Sequence, residues 1–135
     1  MEYSALLKEH GIQVTKHRIE IIALLKENET RFIGIDEIQA RVGSDFSTAY
    51  RALELFNEKG IIARTKIEEK LYYSFRCQKR GFHHHLICVK CGRKVDLDFC
   101  PVRSLEERYR GIGFSSFEHI RDFFGICEAC QDKLP

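Results

Sequence analysis

Thr48-Ala-Tyr-Arg-Ala-Leu-Glu-Leu-Phe-Asn-Glu-Lys59, then Gly60, then Ile61-Ile-Ala-Arg-Thr-Lys66, and after Glu68-Glu69 the run Lys70-Leu-Tyr-Tyr-Ser-Phe75: this stretch decides the fold. Ala49, Ala52, Leu53 and Phe56 recur at helical spacing and make one apolar face. Ser44 to Ser47 offers capping residues before the helix, and Gly60 stands where a glycine past the last turn stops one. The two runs that follow are rich in β-branched and aromatic residues and read as a hairpin turning at Glu68-Glu69. Working back, Asp36–Val42 carries Ile38 and Val42 on one side, next to Ile35. Thr15 is a good cap for Lys16–Lys26, with Ile19, Ile22 and Ala23 in helical register and Ile21, Leu24 and Leu25 widening the stripe. Ala5–His10 is a short helical piece ended by Gly11. Helices followed by a hairpin describe a winged helix-turn-helix over residues 1–76.

Past residue 76 the character changes. Residues 77–82 read as a hinge, and 83–135 as a small second domain. There His85–Lys90, Lys94–Phe99 and Phe117–Gly125 are strand-like, and Pro101 suits the start of a helix over Val102–Tyr109. The fold class is therefore α+β: an N-terminal winged helix-turn-helix, then a small α/β domain. Halves this small bury little core alone and call for a metal, a disulfide or a partner chain.

The 135 residues are 44% hydrophobic and 31% charged, an ordinary globular composition. No apolar run approaches a membrane span, and Met1–Lys8 has no signal-peptide layout, so a cytoplasmic protein with no membrane partner is expected. Net charge is only +2, and up to Arg76 acidic and basic residues are equal in number. Bulk charge thus gives no argument for nucleic acid; any basic surface must come from local placement.

All six cysteines lie between Cys77 and Cys130. In a reducing compartment they point to metal rather than disulfides. Cys88-Val-Lys-Cys91 and Cys127-Glu-Ala-Cys130 each let two thiolates reach one ion from a tight turn, and together they make a tetrahedral four-cysteine set for structural Zn2+. The competing reading is a redox pair or ordinary buried thiols. A second cluster holds Cys77, His83, His84, His85 and Asp96. On a strand His83 and His85 share a face and His84 takes the other. Cys77, His83 and His85 give a set of two nitrogens and one sulfur to which Asp96 adds an oxygen, a mixture that suits Zn2+ better than Fe2+ or Mn2+. The bland alternative is a solvated histidine run. At the start of the helix that opened this reading, Ser47, Thr48, Tyr50 and Arg51 face outward, as recognition-helix residues do toward base edges and phosphates. Lys16, His17, Arg18, Arg64 and Lys66 could flank them. An exposed Tyr-Arg pair can equally be plain surface.

Taken together these features resemble the ferric-uptake-regulator family. The matching residues are Val14-Thr15 with Arg18, Ser47–Leu53 running on to Gly60-Ile61-Ile62, His83–Cys91 with Gly92, and Gly125-Ile-Cys127-Glu-Ala-Cys130. The resemblance implies a metal-dependent transcriptional repressor, not an enzyme, that binds a palindromic double-stranded DNA operator as a homodimer. Within the family the zinc uptake regulators fit best, because Cys77 precedes the histidine run, His84 stands where iron sensors usually have Asp, and Cys100-Pro101 is similar to some zinc regulators. This chain departs at Ala63 and near Phe32, where relatives place further ligands. Asp96 is then the best fourth ligand, and it keeps a peroxide or iron sensor as the alternative. A further family metal site would use positions matching Phe82, His84, Arg103 and His119; only His84 and His119 of these can bind metal. A zinc hydrolase and a plain zinc-stapled interaction module are the remote alternatives.

Overall fold

The structure is a computed structural model and describes residues 2–76, 84–114 and 122–132. The chain divides into two compact units, Met1–Gln78 and Lys79–Pro135.

In the first unit α1 (Tyr3–Glu9), α2 (Lys16–Glu27), α3 (Ile35–Val42) and α4 (Phe46–Glu58) are followed by the hairpin β2 (Ile62–Ile67) and β3 (Lys70–Phe75). Thr15 caps α2 by accepting the Arg18 N–H at 3.3 Å. Between α3 and α4 the backbone turns at Gly43, whose φ of 73° is left-handed and suits a residue without Cβ. At the hairpin tip Glu68 and Glu69 both take positive φ, 50° and 68°. Turns that match strand twist demand this even of residues that favour it less than Asn-Gly. A strand the periodicity does not reveal, β1 (Ile33–Gly34), adds to β3 with Ile33 opposite Tyr73, giving an antiparallel sheet ordered β1-β3-β2. Helices and sheet enclose one core that includes Leu7, Ile21, Ile22, Leu25, Ile38, Leu53, Phe56, Ile61 and Tyr73. Each such apolar side chain contributes roughly 1.5–3 kcal/mol by leaving water. The expected helix over Thr48–Lys59 begins two residues earlier, at Phe46, because Asp45 and not a residue nearer Ser47 is the cap. The first helix likewise begins at Tyr3, where Glu2 accepts the Ser4 N–H.

In the second unit β4 (His85–Cys88) is the middle strand of a three-stranded sheet. It pairs antiparallel with β5 (Lys94–Asp96) and parallel with β6 (Asp122–Gly125). A parallel neighbour needs a crossover. Between β5 and β6 the described chain runs through α5 (Pro101–Tyr109) and a 3-10 turn, Arg110–Ile112; α6 (Glu128–Gln131) follows β6. Pro101 starts α5 as expected, with Cys100 as its cap. The first two strands are shorter than the sequence suggests: β4 gives way to a turn at Val89, and β5 ends at Asp96. Residues 117–121 of the expected last strand lie outside the described residues. The described buried apolar set here is small, Ile87, Cys88, Val102 and Cys130, while Leu86, Val95, Phe99, Phe114 and Phe124 remain exposed. No described helix is long and apolar enough to cross a membrane.

Candidate metal centres and nucleic-acid surface

Cys88 ends β4, and the turn after it brings Cys91 back: the Gly92 N–H donates to the Cys88 carbonyl at 2.9 Å. The parallel register sets Gly125 beside Cys88, so Cys127, two residues on, arrives at the same place. Cys127 caps α6 and Cys130 lies within it. All four sulfurs fall within 4.8 Å of one another. Cys91 Sγ and Cys127 Sγ are 3.7 Å apart. A tetrahedral zinc with bonds of about 2.3 Å would hold its sulfurs about 3.8 Å apart, so the residues fit such an ion. At Cys88 burial pushes the thiol up, but backbone N–H donors from Cys127, Cys91 and Lys90 outweigh it and bring the group to about 6. Cys130 goes the other way, pushed up to about 12, first by the Cys127 sulfur and then by burial. Burial foremost also raises Cys91. Sulfurs this close cannot all ionise unless a cation offsets their repulsion, and a soft divalent ion does so.

His85, buried at 6% exposure, sits at the start of the middle strand with a carboxylate on either side. Its Nε2 is 3.3 Å from Asp96 Oδ1 and its Nδ1 is 3.3 Å from Asp122 Oδ1. The register explains both, since His85 lies level with Asp96 on β5 and with Asp122 on β6. Asp96 is thus brought to His85, while Asp122 is a residue the sequence reading missed. Strand pattern gives no pairing partner across such a separation. Cys77 and His83 of the same expected set lie outside the described residues, as does His119. His84 is buried, with its ring 6.0 Å from that of Phe123.

On α4, Ala49, Ala52, Leu53 and Phe56 are buried as the helical spacing requires. Ser47, Tyr50 and Arg51 are exposed, and the Arg51 Nε donates to the Ser47 carbonyl at 3.2 Å. Thr48 is less open than these neighbours. It is half-buried, and its N–H is held by Asp45 Oδ1 at 2.8 Å; hydrogen bonding from the Thr48 side chain first, and from this N–H second, holds the Asp45 carboxyl below its ordinary range. Phe46, also missed, is exposed and stacks on Tyr50 with centroids 5.8 Å apart. On α2 Lys16 is exposed, while Arg18 is half-buried and donates to the Gln13 carbonyl at 2.7 Å. Tyr50 lines a cleft against the hairpin together with Arg64, Thr65, Lys66, Glu69 and Leu71.

Glu54 braces that cleft. It pairs with Arg64 and accepts the Tyr73 hydroxyl at 2.8 Å. Burial first, then this carboxylate, pushes the Tyr73 phenol well above its ordinary value. Glu54→Ala would leave a buried hydroxyl without its acceptor, so a loss of about 1–3 kcal/mol is expected in chemical denaturation. Unchanged stability would mean that water replaces the carboxylate at no cost.

Residues 9–120 match the family described as the ferric uptake regulator family. The chain belongs to that family. As a ferric uptake regulator family member it is a metal-responsive transcriptional regulator. The ferric uptake regulation protein of Staphylococcus aureus is 33% identical over a 132-residue alignment that covers 94% of each chain. Among solved structures, a zinc-bound manganese uptake regulator superposes with a TM-score of 0.67 at 27% identity, covering 94% of this chain and 99% of the other. The iron-containing ferric uptake regulator of Francisella tularensis gives 0.65 at 26%, covering 90% and 96%. A winged helix-turn-helix followed by an α/β unit is the fold these structures share with this family member.

Proposed function

We propose that the chain is a zinc-responsive repressor that binds a palindromic DNA operator as a homodimer. The observation that carries this reading is that its two donor sets differ in kind. Cys88, Cys91, Cys127 and Cys130 form a closed set, suited to a permanent structural zinc. His85 with Asp96 is a pair of nitrogen and oxygen donors to which Cys77 and His83, outside the described residues, would add. A thiolate with two imidazoles and a carboxylate is a mixed set unlike the four thiolates, and it suits zinc. The exposed apolar residues Leu86 and Val95, level with one another on β4 and β5, give the second unit a surface that a second copy would cover. A second reading, an iron, manganese or peroxide sensor, is favoured by the carboxylates on both sides of His85. Oxygen donors suit harder ions, and the relatives named above carry iron and manganese in their names. Family membership favours either reading over hydrolysis.

On the DNA-binding surface Ser47, Thr48, Tyr50 and Arg51 of α4, with Lys16 and Arg18, are the proposed contacts. The experiment selects an operator from a random duplex pool and titrates binding with zinc, iron and manganese, alongside metal content. Zinc-dependent binding supports the first reading, and binding driven by iron or manganese alone replaces it with the second. On that operator Tyr50→Ala is expected to cost about 1–3 kcal/mol and to blur sequence preference. Arg51→Ala is expected to weaken all sequences and to reduce the salt slope by about one. Two variants that bind like the parent would remove α4 from the interface.

A further inference from the structure

We infer that Asp122 is a positioning residue of the regulatory site: it holds the Nδ1–H of His85 and so presents Nε2, beside Asp96, to the metal. This rests on the proposal that His85 and Asp96 are ligands. An imidazole carries its two nitrogens on opposite flanks, and one ion takes only one of them. The two carboxylates at 3.3 Å are therefore not equivalent, since each faces a different nitrogen. Asp96 is the more open, with its side chain 45% exposed against 18% for Asp122. An ion arriving from solvent meets Asp96 first, and Asp96 lies on the Nε2 flank. The enclosed Asp122 is placed to accept the remaining N–H, which fixes the tautomer, locks the ring plane and makes Nε2 a better donor. Metal-bound histidines almost always give their second N–H to such a partner. Both arrangements follow from one register: His85 is on the middle strand, and each flanking strand supplies an aspartate level with it. Asp122 does not share the ion, because its Oδ1 lies on the Nδ1 flank.

The test loads the full chain, with 15N-labelled histidine, with 113Cd as a spectroscopic stand-in for zinc. Two bound ions are expected, with cadmium coupling at His85 Nε2 and a proton on Nδ1. Asp122→Leu should lower affinity for the second ion by about 10–100-fold and abolish the sharp Nδ1–H signal, leaving the ion held by the four cysteines and the far-UV circular dichroism unchanged. Asp122→Asn, whose amide oxygen still accepts the N–H, should keep the Nε2 coupling and recover most of the affinity, so the inference is tested even if the leucine variant fails to fold. Coupling at Nδ1 would reverse the roles of the two aspartates. An asparagine variant as damaged as the leucine one would make Asp122 a ligand. Either result overturns the inference. If the parent binds two ions and Asp122→Leu binds them equally well, the inference alone falls. If the parent binds only one, the regulatory-site reading falls and takes the inference with it.

Discussion

Cys91→Ser is expected to strip the zinc from the four-cysteine set and to unfold the second unit while the first keeps its structure. Among the described residues of that unit the buried apolar set is small. Ile87 and Val102 are buried, but Cys88 and Cys130 complete the apolar set, and these are metal donors themselves. Burial of two aliphatic side chains contributes a few kcal/mol. Structural zinc in comparable thiolate sites contributes about 10–16 kcal/mol of binding energy that is also folding energy. An ion there would also join Cys88 at the end of the middle strand to Cys127 beyond β6, so losing it would release the parallel pairing whose sequence separation makes it costly to close. The first unit has its own core of α1 to α4 and the β1-β3-β2 sheet and contains none of these four cysteines. Native mass spectrometry reads the zinc, and amide hydrogen exchange reads the two units separately. A variant that keeps zinc, or loses it with unchanged protection around β4 and β6, would refute the account. The same set should give off protons when loaded at neutral pH. Cys130 is pushed up to about 12 and Cys91 is raised, so both hold their protons until an ion replaces them. Zinc retention accordingly falls as pH falls.

What could be read from the chain alone was what depends on near neighbours in sequence. Each Cys-X-X-Cys pair is local, and so is the spacing of Ala49, Ala52, Leu53 and Phe56 that buries one face of α4. Pairing between distant residues was not legible. Asp122 sits 37 positions from His85, and only the parallel register of β4 and β6 brings it there. β1 spans two residues, too short for any period, and exists because β3 offers it an edge. Phe46 escaped notice for a related reason. With the helix start placed at Thr48, that ring fell before the first turn, whereas the Asp45 cap puts it one turn below Tyr50 and in stacking contact with it. Cys100, one of the six cysteines read as pointing to metal, accepts the Arg103 N–H through its sulfur and serves as the cap of α5.

Cys77→Ser is expected to abolish the zinc dependence of operator binding while leaving structural zinc in place. Cys77 would supply the one soft donor of the regulatory set. Without it the proposed ligands are His83, His85 and Asp96, a nitrogen and oxygen mixture that no longer distinguishes zinc by its thiolate. An effector changes affinity at a second site only by the difference in its own binding to the two states, commonly about 5–150-fold in such couplings. With the thiolate gone, zinc-saturated and zinc-free protein should bind the selected operator within a factor of about two, a gap too small to count as coupling on that scale. The four-cysteine set is chemically separate: its sulfurs lie within 4.8 Å of one another and none belongs to Cys77. Zinc content should therefore fall by one ion per chain, not two. The experiment measures operator affinity by fluorescence anisotropy across a zinc titration, with metal content by mass spectrometry on the same samples. A variant that loses one zinc and its response supports Cys77 as a regulatory ligand. A full zinc response in Cys77→Ser excludes it. If iron in the parent then drives operator binding and peroxide oxidises His83 or His85, the carboxylates around His85 belong to an iron-based peroxide sensor.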